Sequence, residues 1–571
     1  MEWWGSYTSD RTRMFSSGLK RVGTSGSKAG DKDKDVRVEE IRSVDVSEEP
    51  ELRDEKAKIK VPNNADYAAA VEQGHINPFT WSAFVLYMCA GVAFLCSCGN
   101  GYDGSLMTAI NGMPFYERKF NQGSLDVSTG LIFSIYTVGQ MCGSLFAGQL
   151  CDRFGRRSGM FVGCVIIIVG AATIASSEAK RQFVAGRFVL GFGIAIATIG
   201  APTYTVEVAP PQWRGRLTSL YNTGWNGGAI AAAAITLGTQ RIQSDWSWRI
   251  PLILQAAPAC VVVCTVWSLP ESPRWLMAHG RDAEAFAFLT NYHGNGDPNH
   301  PIVKLQTREF KEGIRTDGSD KRWWDFRALF ATSNARWRFL MVFLMGFFGQ
   351  MSGNGLGYFN LSIYESLGFG TQMQFNMNLI NSCLAALTAW IAVSLEDRMP
   401  RRKVLVIGTF LCSVMLALNA GFSAKWATYG DGPKNLAVGN AGVAFFFLFG
   451  IVYAFTYTPL QSLYPAECLE TTTRAKGVSA KIFIISCTSF INLFCTPIAY
   501  GRIGWKYVLV YVGWDAFETV IWYFFCVETQ GRTLEELDEI FSSQYPVKAS
   551  KQKRKVVITE TGEVKPIEDS P

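Results

Sequence analysis

Two charged side chains lie inside long apolar stretches of the sequence, where a charge is expensive. Asp103 lies about twenty residues into the first stretch, and Arg187 lies a few residues into the fourth. A charge at the centre of a membrane-spanning helix costs roughly 2.5–3.5 kcal/mol, so each group needs a partner or a function. If the first stretch runs outward and the fourth runs inward, both groups lie at similar depth. We expect an ion pair that breaks when Asp103 takes up a proton, and a static buried pair is the alternative.

A second set of residues has the hydrogen-bonding chemistry that suits a polyhydroxylated ligand, such as a sugar or a polyol. Sugar hydroxyls donate and accept hydrogen bonds, as carboxamides do, and an aromatic face packs on the apolar side of a sugar ring. Gln350 lies about eleven residues into its apolar stretch, near the middle of a membrane at roughly 1.5 Å per residue. Amides that hold helices together are the alternative. The predicted ligand-binding residues, which become sugar ligands if the substrate is a sugar, are Asn222, Trp225, Gln350, Asn354, Asn381, Gln461 and Asn492.

Other titratable residues are interpreted as structural. Asp515 and Glu518 lie on one face of the last apolar stretch, which we interpret as a polar face at the periphery of the bundle. Twelve of the fourteen cysteines lie inside apolar stretches, as small buried side chains do. All four histidines lie outside these stretches, which excludes a histidine proton relay in the membrane. We find neither a nucleophile–base pair nor a metal cluster in the membrane region, and therefore predict neither an enzyme nor a cofactor.

Twelve apolar segments are predicted to position these residues. A spanning helix needs roughly 20 apolar residues, and about 370 residues of the chain contain few charges. We therefore predict an all-α membrane protein with twelve transmembrane helices in two six-helix bundles. The segments lie near 82–106, 127–149, 158–177, 183–206, 217–238, 249–269, 339–362, 374–395, 403–423, 439–464, 477–499 and 505–527.

Charge is segregated along the chain. Of the 571 residues, 48% are hydrophobic and 18% are charged, and the mean hydropathy is only +0.11. The charges concentrate outside the apolar segments, which excludes an ordinary soluble enzyme of this length. The predicted domains are a disordered cytoplasmic tail at 1–80 without a cleavable signal peptide, bundles at 81–269 and 338–527, a central loop with short helices at 270–337, and a C-terminal tail at 528–571.

The basic residues orient the predicted bundle. An even number of spans places both tails on one side, and the long basic loop at 270–337 favours the cytoplasm for that side. We attribute the net charge of +6 to such loops and expect no nucleic-acid partner. The predicted environment is a lipid bilayer, with the plasma membrane as the expected location and a monomer as the functional unit.

Charged motifs recur after corresponding segments of the two halves. The offsets between the members of three pairs are 245, 260 and 257 residues. Three pairs in the same order predict a duplicated six-helix unit, which is a transporter architecture with its site between the halves. The pairs are DRFGRR at 152–157 with DRMPRR at 397–402, Glu207 and Arg214 with Glu467 and Arg474, and PESPR at 270–274 with VETQG at 527–531. Within the second of these, we expect Glu207 to pair with Arg214, and Glu467 with Arg474, at the helix ends.

The motifs resemble those of a known transporter group. GQLCDRFGRR at 148–157 resembles the signature loop of the major facilitator superfamily. The resemblance extends over about residues 81–542. GRFVLGFG at 186–193, the stretch 202–215, PESPRWL at 270–276 and ETQGRTLEE at 528–536 resemble the sugar porter family. YNTGWNGG at 221–228, GQMSGNGLGY at 349–358 and TPLQSLY at 458–464 resemble its fungal lactose permease and cellodextrin transporter branch.

This resemblance implies roles for the charged residues. In proton-coupled sugar porters, residues matching Asp103 and Arg187 couple a proton to transport, although some facilitators keep the aspartate. The charged groups at the helix ends are expected to latch the halves together in the outward-facing state, and solvated membrane anchoring is the alternative. The predicted gate residues are Asp152, Arg153, Arg156, Arg157, Glu207, Arg214, Glu271, Arg274, Asp397, Arg398, Glu467, Arg474 and Glu528.

Departures from monosaccharide porters bear on the substrate. Asn222 stands where those porters usually have glutamine, and Ser462 stands where they usually have tryptophan. Smaller residues leave a roomier cavity, which favours a disaccharide such as lactose or cellobiose over a hexose or pentose. Proton symport is the favoured mechanism. The alternatives are a facilitative sugar uniporter, a quinate or polyol transporter, and a nutrient sensor built on a transporter scaffold.

Overall fold

The computed structural model describes most of the chain beyond the predicted N-terminal tail. The tail prediction therefore lies almost entirely outside the described part. The described residues are 79–120, 127–317, 326–395, 398–429, 435–470, 473–530, 532, 534–551, 556–558 and 564–566.

The first half of the bundle and the central segment are helical. The first half contains α1 (Trp81–Ile110), α2 (Pro114–Phe120), α3 (Val127–Phe154), α4 (Arg156–Ala175), α5 (Lys180–Val208), α6 (Pro211–Thr239), α7 (Trp246–Leu254) and α8 (Ala257–Thr265), followed by a 3₁₀ turn at Val266–Ser268. The central segment contains α9 (Pro273–Ala278), α10 (Asp282–Tyr292) and α11 (Pro301–Asp317), with a 3₁₀ turn at Arg327–Leu329.

The second half and the tail follow the same pattern, with one small hairpin at the end. The second half contains α12 (Ser333–Met351), α13 (Asn354–Gly357), α14 (Asn360–Ser366), α15 (Thr371–Leu395), α16 (Arg401–Thr428), α17 (Leu436–Cys468), α18 (Arg474–Ile503) and α19 (Lys506–Phe525). The tail contains α20 (Leu534–Ser542), α21 (Pro546–Ala549) and the antiparallel strands β1 (Val556–Ile558) and β2 (Val564–Pro566).

The helices confirm the predicted all-α membrane architecture. Among the described residues, 11 helical segments are long and apolar enough to cross a membrane, and Trp246–Ser268 and Ser333–Gly357 each count as one. The helix α6 lies where the fifth span is predicted and has 29 residues. It falls outside the apolar set because its first turns contain Arg214 and Arg216 and its middle is rich in small polar residues. With α6 the described bundle has twelve long helical segments.

Glycines bring α1 and α6 into backbone contact. A methyl group built on Gly101 would lie 1.9 Å from the carbonyl oxygen of Trp225, and one built on Gly228 would lie 1.9 Å from that of Cys98. Small residues allow this close approach, which replaces the hydrophobic effect as a source of helix association inside a membrane. As a result the Trp225 ring lies against Gly104, one residue beyond Asp103.

Two spans are interrupted near the middle. The sixth span breaks between α7 and α8, where Gln255 follows the helix that contains Pro251. The seventh span breaks at Ser352 and Gly353, and Gly353 has a φ of +75°, a left-handed conformation that favours glycine. Both breaks place polar side chains and backbone groups inside the bundle, as interrupted helices do in other transporters.

The two ends of the bundle differ. We use "motif end" for the end at which α3 and α5 finish, and "far end" for the end at which α1 finishes. At the far end the halves contact each other: the rings of Phe133 and Phe359 lie 4.8 Å apart, and Gln240 Nε2 donates to Gln372 Oε1 at 2.9 Å. Phe133 and Phe359 are buried in one apolar cluster, so the far end is closed.

The central segment docks on the first half through a buried histidine. His293 follows α10, is fully buried, and its Nε2 lies 3.0 Å from the Val208 carbonyl oxygen at the end of α5. Its Nδ1 contacts the side-chain amide of Gln306 in α11. Burial lowers the pKa of His293 to about 4, because the charged ring would lose its hydration. The docked histidine is therefore neutral at physiological pH.

Candidate functional site

A buried ion pair joins α1 to α5 in the first half. Arg187 Nη1 lies 2.5 Å from Asp103 Oδ1, and both side chains are at most 3% exposed. Gln255 Nε2, at the break of the sixth span, donates to the same oxygen at 2.6 Å. One carboxylate oxygen thus ties together three spans, which is a strong arrangement in a medium of low dielectric constant.

An aromatic residue of α3 completes the surroundings of this pair. The Arg187 guanidinium lies 4.7 Å from the centre of the Tyr136 ring, within cation–π range. The Tyr136 hydroxyl donates to Asn100 Oδ1 at 3.2 Å and accepts from Gln140 Nε2 at 3.0 Å. Sequence reasoning missed Gln255, although a glutamine between two prolines in an apolar stretch is a usable signal.

In the second half, three predicted sugar ligands come together around the break of the seventh span. Gln350 Oε1 accepts hydrogen bonds from Asn354 Nδ2 at 2.8 Å and from Ser489 Oγ at 3.0 Å. Asn492 Nδ2 donates to the backbone carbonyl oxygen of Gln350 at 2.5 Å, and the Tyr511 hydroxyl donates to Asn492 Oδ1 at 3.1 Å. We refer to Gln350, Asn354, Ser489 and Asn492 as the amide cluster. Ser489 was missed because serines are common in apolar helices and signal nothing alone.

Gln461 lies on α17 next to the amide cluster. Its Nε2 approaches Gly349 closely, at 3.0 Å from where a methyl group on that glycine would stand. This nitrogen is buried and donates no hydrogen bond to another described residue. The backbone carbonyl oxygen of Gln461 accepts from Lys481 Nζ at 3.0 Å, and Lys481 is only 8% exposed. Sequence reasoning missed Lys481, although a lysine inside an apolar stretch is a strong signal.

The other predicted sugar ligands lie apart from the amide cluster. Asn222 and Trp225 are on α6 in the first half, where both are exposed and Trp225 borders the region of Asp103. Asn381 on α15 faces Gly450 of α17. The structure therefore brings together the predicted ligands of α12, α13 and α18, and Gln461 beside them. Sugar contact by all seven residues stays a prediction.

Predicted gate residues of the first half form a compact ionic cluster at the motif end. Arg156 binds Glu207 through two hydrogen bonds, of 2.9 and 3.0 Å. Ser272 Oγ donates to Glu207 Oε2 at 2.5 Å. Glu271 accepts from the backbone N–H groups of Arg156 and Arg157 at 3.2 and 3.4 Å. These contacts join the ends of the third, fourth and sixth spans.

The second half has the corresponding cluster. Arg401 binds Glu467 through two hydrogen bonds, of 2.8 and 3.3 Å. Thr529 Oγ1 donates to Glu467 Oε2 at 2.5 Å. Glu528 accepts from the backbone N–H groups of Arg401 and Arg402 at 2.9 and 3.1 Å. Each contact matches one of the first half, at the offsets found in the sequence.

One detail of the predicted gate differs in the structure. We expected Glu207 to pair with Arg214, but Glu207 pairs with Arg156 instead. Arg156 begins α4 beside the end of α5, whereas Arg214 lies one turn into α6. A separation of seven residues along a chain that bends between two helices does not show which side chains are in contact.

The remaining predicted gate residues are more peripheral. Asp152 accepts from Arg156 Nη1 at 3.1 Å and lies largely exposed. Arg153 and Arg398 are exposed, and Arg274 is half-buried. Asp397 and the side chain of Arg474 lie outside the described part of the chain. Each ion pair found among the described residues joins groups of the same half or its flanking segment, so a latch between the halves stays a prediction.

The interpretation of Asp515 and Glu518 as a peripheral polar face is wrong. Both side chains are fully buried, and Glu518 Oε2 accepts from the Tyr457 hydroxyl at 3.2 Å. The face of α19 that contains them packs inward, against α16 and α17, and not toward the surroundings of the bundle. Sequence periodicity could not reveal this, because α19 is apolar on nearly every side.

The sequence is similar to those of known transport proteins. Residues 89–541 match the family described as sugar (and other) transporter. The chain is 29% identical over 494 residues to the MFS glucose transporter mfs1 of Aspergillus flavus, covering 81% of this chain and 90% of that protein. It is 27% identical over 476 residues to the quinate permease of Neurospora africana, covering 80% and 89% of the two chains.

Solved structures share the fold. The inward open conformation of the xylose transporter XylE from E. coli aligns with a TM-score of 0.65 and 18% identity, covering 80% of this chain and 99% of that chain. The proton:xylose symporter XylE bound to 6-bromo-6-deoxy-D-glucose aligns with a TM-score of 0.64 and 18% identity, covering 81% and 100%. These matches establish the two-bundle fold.

Proposed function

Since the chain belongs to the sugar transporter family of the major facilitator superfamily, we propose that it imports a disaccharide, such as lactose or cellobiose, together with a proton. The protein is a multi-pass membrane transporter and not an enzyme. The substrate and the proton coupling are what we propose. The observation on which the coupling depends is the buried Asp103–Arg187 pair between α1 and α5.

The proposed setting is the plasma membrane, with both tails in the cytoplasm and a monomer as the working unit. The motif end then faces the cytoplasm and the far end faces outward. With the far end closed by the Phe133–Phe359 contact, the conformation belongs to the inward-facing part of an alternating-access cycle.

Proton uptake by Asp103 supplies the proposed coupling step. While it is ionised, Asp103 Oδ1 accepts from both Arg187 and Gln255 and so holds α1, α5 and the break of the sixth span together. Protonation removes the charge that balances Arg187, while the Tyr136 ring face remains as a nearby stabilising group. The two states of Asp103 therefore favour different arrangements of these helices.

Sugar recognition is proposed for the amide cluster and Gln461. Gln350 and Asn354 lie on either side of the break in the seventh span, so a ligand that contacts both also fixes the geometry of the break. The unused Gln461 Nε2 donor is available to a sugar hydroxyl. Trp225 is 39% exposed in the opposite half and can stack on a sugar ring.

Uptake of labelled cellobiose and labelled lactose into transporter-deficient cells tests the proposal. We expect saturable uptake with alkalinisation of a weakly buffered medium, and a panel of unlabelled sugars should compete in the order of their affinity. Uptake without alkalinisation would contradict symport, and the absence of sugar uptake at normal surface expression would contradict the substrate.

Replacing Asp103 by asparagine tests the coupling step directly. Asp103→Asn is expected to abolish accumulation against a gradient while exchange of labelled for unlabelled sugar continues, because the neutral side chain mimics only the protonated state. Asp245→Asn makes the same chemical change in the loop between α6 and α7 and should leave accumulation intact. Unchanged accumulation in Asp103→Asn would identify a static pair.

A second candidate substrate class is favoured by Lys481. This buried ammonium group forms none of the ion pairs found among the described residues, and it lies three helical turns from Asn492 on the same face of α18. A buried cation without a counter-ion suits an anionic ligand. A carboxylated polyol such as quinate would meet both the amide cluster and this lysine.

Competition between quinate and cellobiose distinguishes the two classes. If the substrate is an acid, quinate should inhibit uptake strongly, and Lys481→Met should reduce quinate uptake much more than cellobiose uptake. Lys425→Met, at an exposed position of α16, is the matched control. Equal loss for both substrates would assign Lys481 a structural role.

A further inference from the structure

The second half contains a pair of buried acids that the proposed transport mechanism does not use. Asp515 and Glu518 are three residues apart on α19 and therefore lie on one helix face. Both are fully buried. Neither oxygen of Asp515, nor Oε1 of Glu518, accepts a well-aligned hydrogen bond from another described residue.

Among the described residues, the groups that face this pair come from the break of the seventh span, α16, α17 and α19, and all are uncharged in their ordinary state. Ser352, at the break of the seventh span, is fully buried, approaches the Asp515 carboxyl, and its Oγ makes no aligned hydrogen bond among the described residues. No ion pair found among the described residues includes either acid. The titratable groups near the pair are Cys412 of α16, Tyr453 and Tyr457 of α17, and Tyr511 of α19.

Two desolvated carboxylates without a cation are electrostatically unstable. Each ionised group loses its hydration on burial, and two like charges on one helix face repel. A buried carboxylate normally has an arginine or lysine partner, as Asp103 does in the first half. The pair therefore needs a positively charged ligand small enough to fit between packed side chains.

We propose that Asp515 and Glu518 form a second proton-binding site, which holds at least one proton and senses the break of the seventh span through Ser352. Binding of the proton does not depend on the proposed transport function, whereas its effect on uptake does. Protonated carboxyls gain donors that can reach the unused acceptors of the pair and the Ser352 hydroxyl.

Contacts connect this site to the amide cluster. The Tyr457 hydroxyl donates to Glu518, and the Tyr457 and Tyr453 rings stack 5.2 Å apart. The Tyr453 hydroxyl in turn donates to the carbonyl oxygen of Gly349, the residue before Gln350. The site thus contacts the interrupted span on both sides of Gln350, through Gly349 and through Ser352.

Infrared spectroscopy of the purified full-length protein in liposomes tests proton binding without any sugar. At neutral pH we expect the carbonyl stretch of a protonated carboxylic acid, and this band should be lost in the double variant Asp515→Asn, Glu518→Gln. Glu365→Gln, at an exposed position of α14, should keep the band. A wild-type spectrum without a protonated carboxyl, or a band that disappears when sodium is added, would overturn the proposal.

The pH dependence of uptake tests the link to transport. One titrating proton changes a rate by at most roughly tenfold per pH unit. For each protein we compare the initial uptake rates at two pH values one unit apart. The ratio of these rates should be smaller in Glu518→Gln, a substitution of similar shape, than in the wild type, with surface expression unchanged. Tyr457→Phe, which removes only the hydroxyl facing Glu518, should shift the midpoint of the profile.

The outcomes separate the two proposals. An unchanged pH profile in both variants would contradict the link to transport even if the infrared band is present. If the wild-type protein moves no sugar, the transport proposal fails while the infrared result still decides the proton site.

Discussion

The two halves of the bundle share their charged ends but differ in their interiors. At the motif end, Arg156 with Glu207 and Arg401 with Glu467 make the same bidentate contacts. Inside the membrane, the first half has an acid neutralised by Arg187, whereas the second half has two acids without a cation among the described residues. Duplication has kept the parts that stiffen each half, while the buried acids have distinct environments.

The largest expected effect contrasts the two kinds of buried acid. Asp103→Asn leaves Arg187 buried without a counter-charge, and breaking a buried pair in this way costs about 3–5 kcal/mol. Asp515→Asn removes a carboxyl that has no cation, so it should leave stability unchanged or raise it. Thermal unfolding of the detergent-solubilised variants measures both. Equal destabilisation would contradict the contrast between the halves.

The next effect tests the likeness of the two motif-end clusters. Glu207→Gln and Glu467→Gln each remove a charge-assisted bidentate contact worth about 1.5–3 kcal/mol. Both should destabilise the protein and slow uptake, and Glu207→Gln should do so more because the Glu207 side chain is 7% exposed and that of Glu467 is 23% exposed. Glu365→Gln, at an exposed carboxylate of α14, is the control. A larger effect of Glu467→Gln than of Glu207→Gln would show that the two clusters have different roles.

The smallest expected effect concerns the segments that dock on each half. The pKa of His293 is lowered to about 4, from an ordinary value of 6.5, so the folded state disfavours its protonation. Docking is therefore fully stable above pH 6.5, and weakens as the pH falls from 6.5 toward 4, because only the undocked histidine takes up a proton there. Hydrogen exchange of α10 and α11 at pH 7 and pH 5 measures this.

The control and the contrast for this prediction are both present in the chain. His293→Gln should remove the pH dependence of exchange in α10. The tail helix α20 contacts the second half through Asp538, which lies 2.9 Å from Arg338 of α12. Hydrogen exchange of α20 should show no change over the same pH interval. A pH response of both segments would contradict the role of His293.

The fold and the motif-end residues could be predicted from the sequence because those features depend on local signals. Long apolar segments and repeated motifs at fixed offsets are visible in one dimension, and they predicted the paired bundles. The Glu207 contact was assigned to Arg214 instead of Arg156, because adjacency in sequence says little about which helix ends meet. Composition alone does not identify every spanning helix: α6 holds charges in its first turns and therefore falls outside the apolar set.

Burial was the least predictable property. Asp515 and Glu518 lie on a helix that is apolar almost all round, so periodicity does not distinguish a lipid-facing side from a protein-facing side. Gln255, Ser489 and Lys481 were missed for a related reason: their importance depends on which partners other helices bring to them. Lys481 and Gln255 could still have been found as polar residues inside apolar stretches.

The carboxylates of Glu271 and Glu528 have a mechanical consequence. Each binds the first two backbone N–H groups of a helix, at α4 and α16, where the helix dipole attracts a negative charge. Because each follows the last span of its own half, it closes that half into a ring of helices. Spin labels placed on two helices of one half should therefore keep a constant separation throughout transport, while labels on opposite halves change theirs.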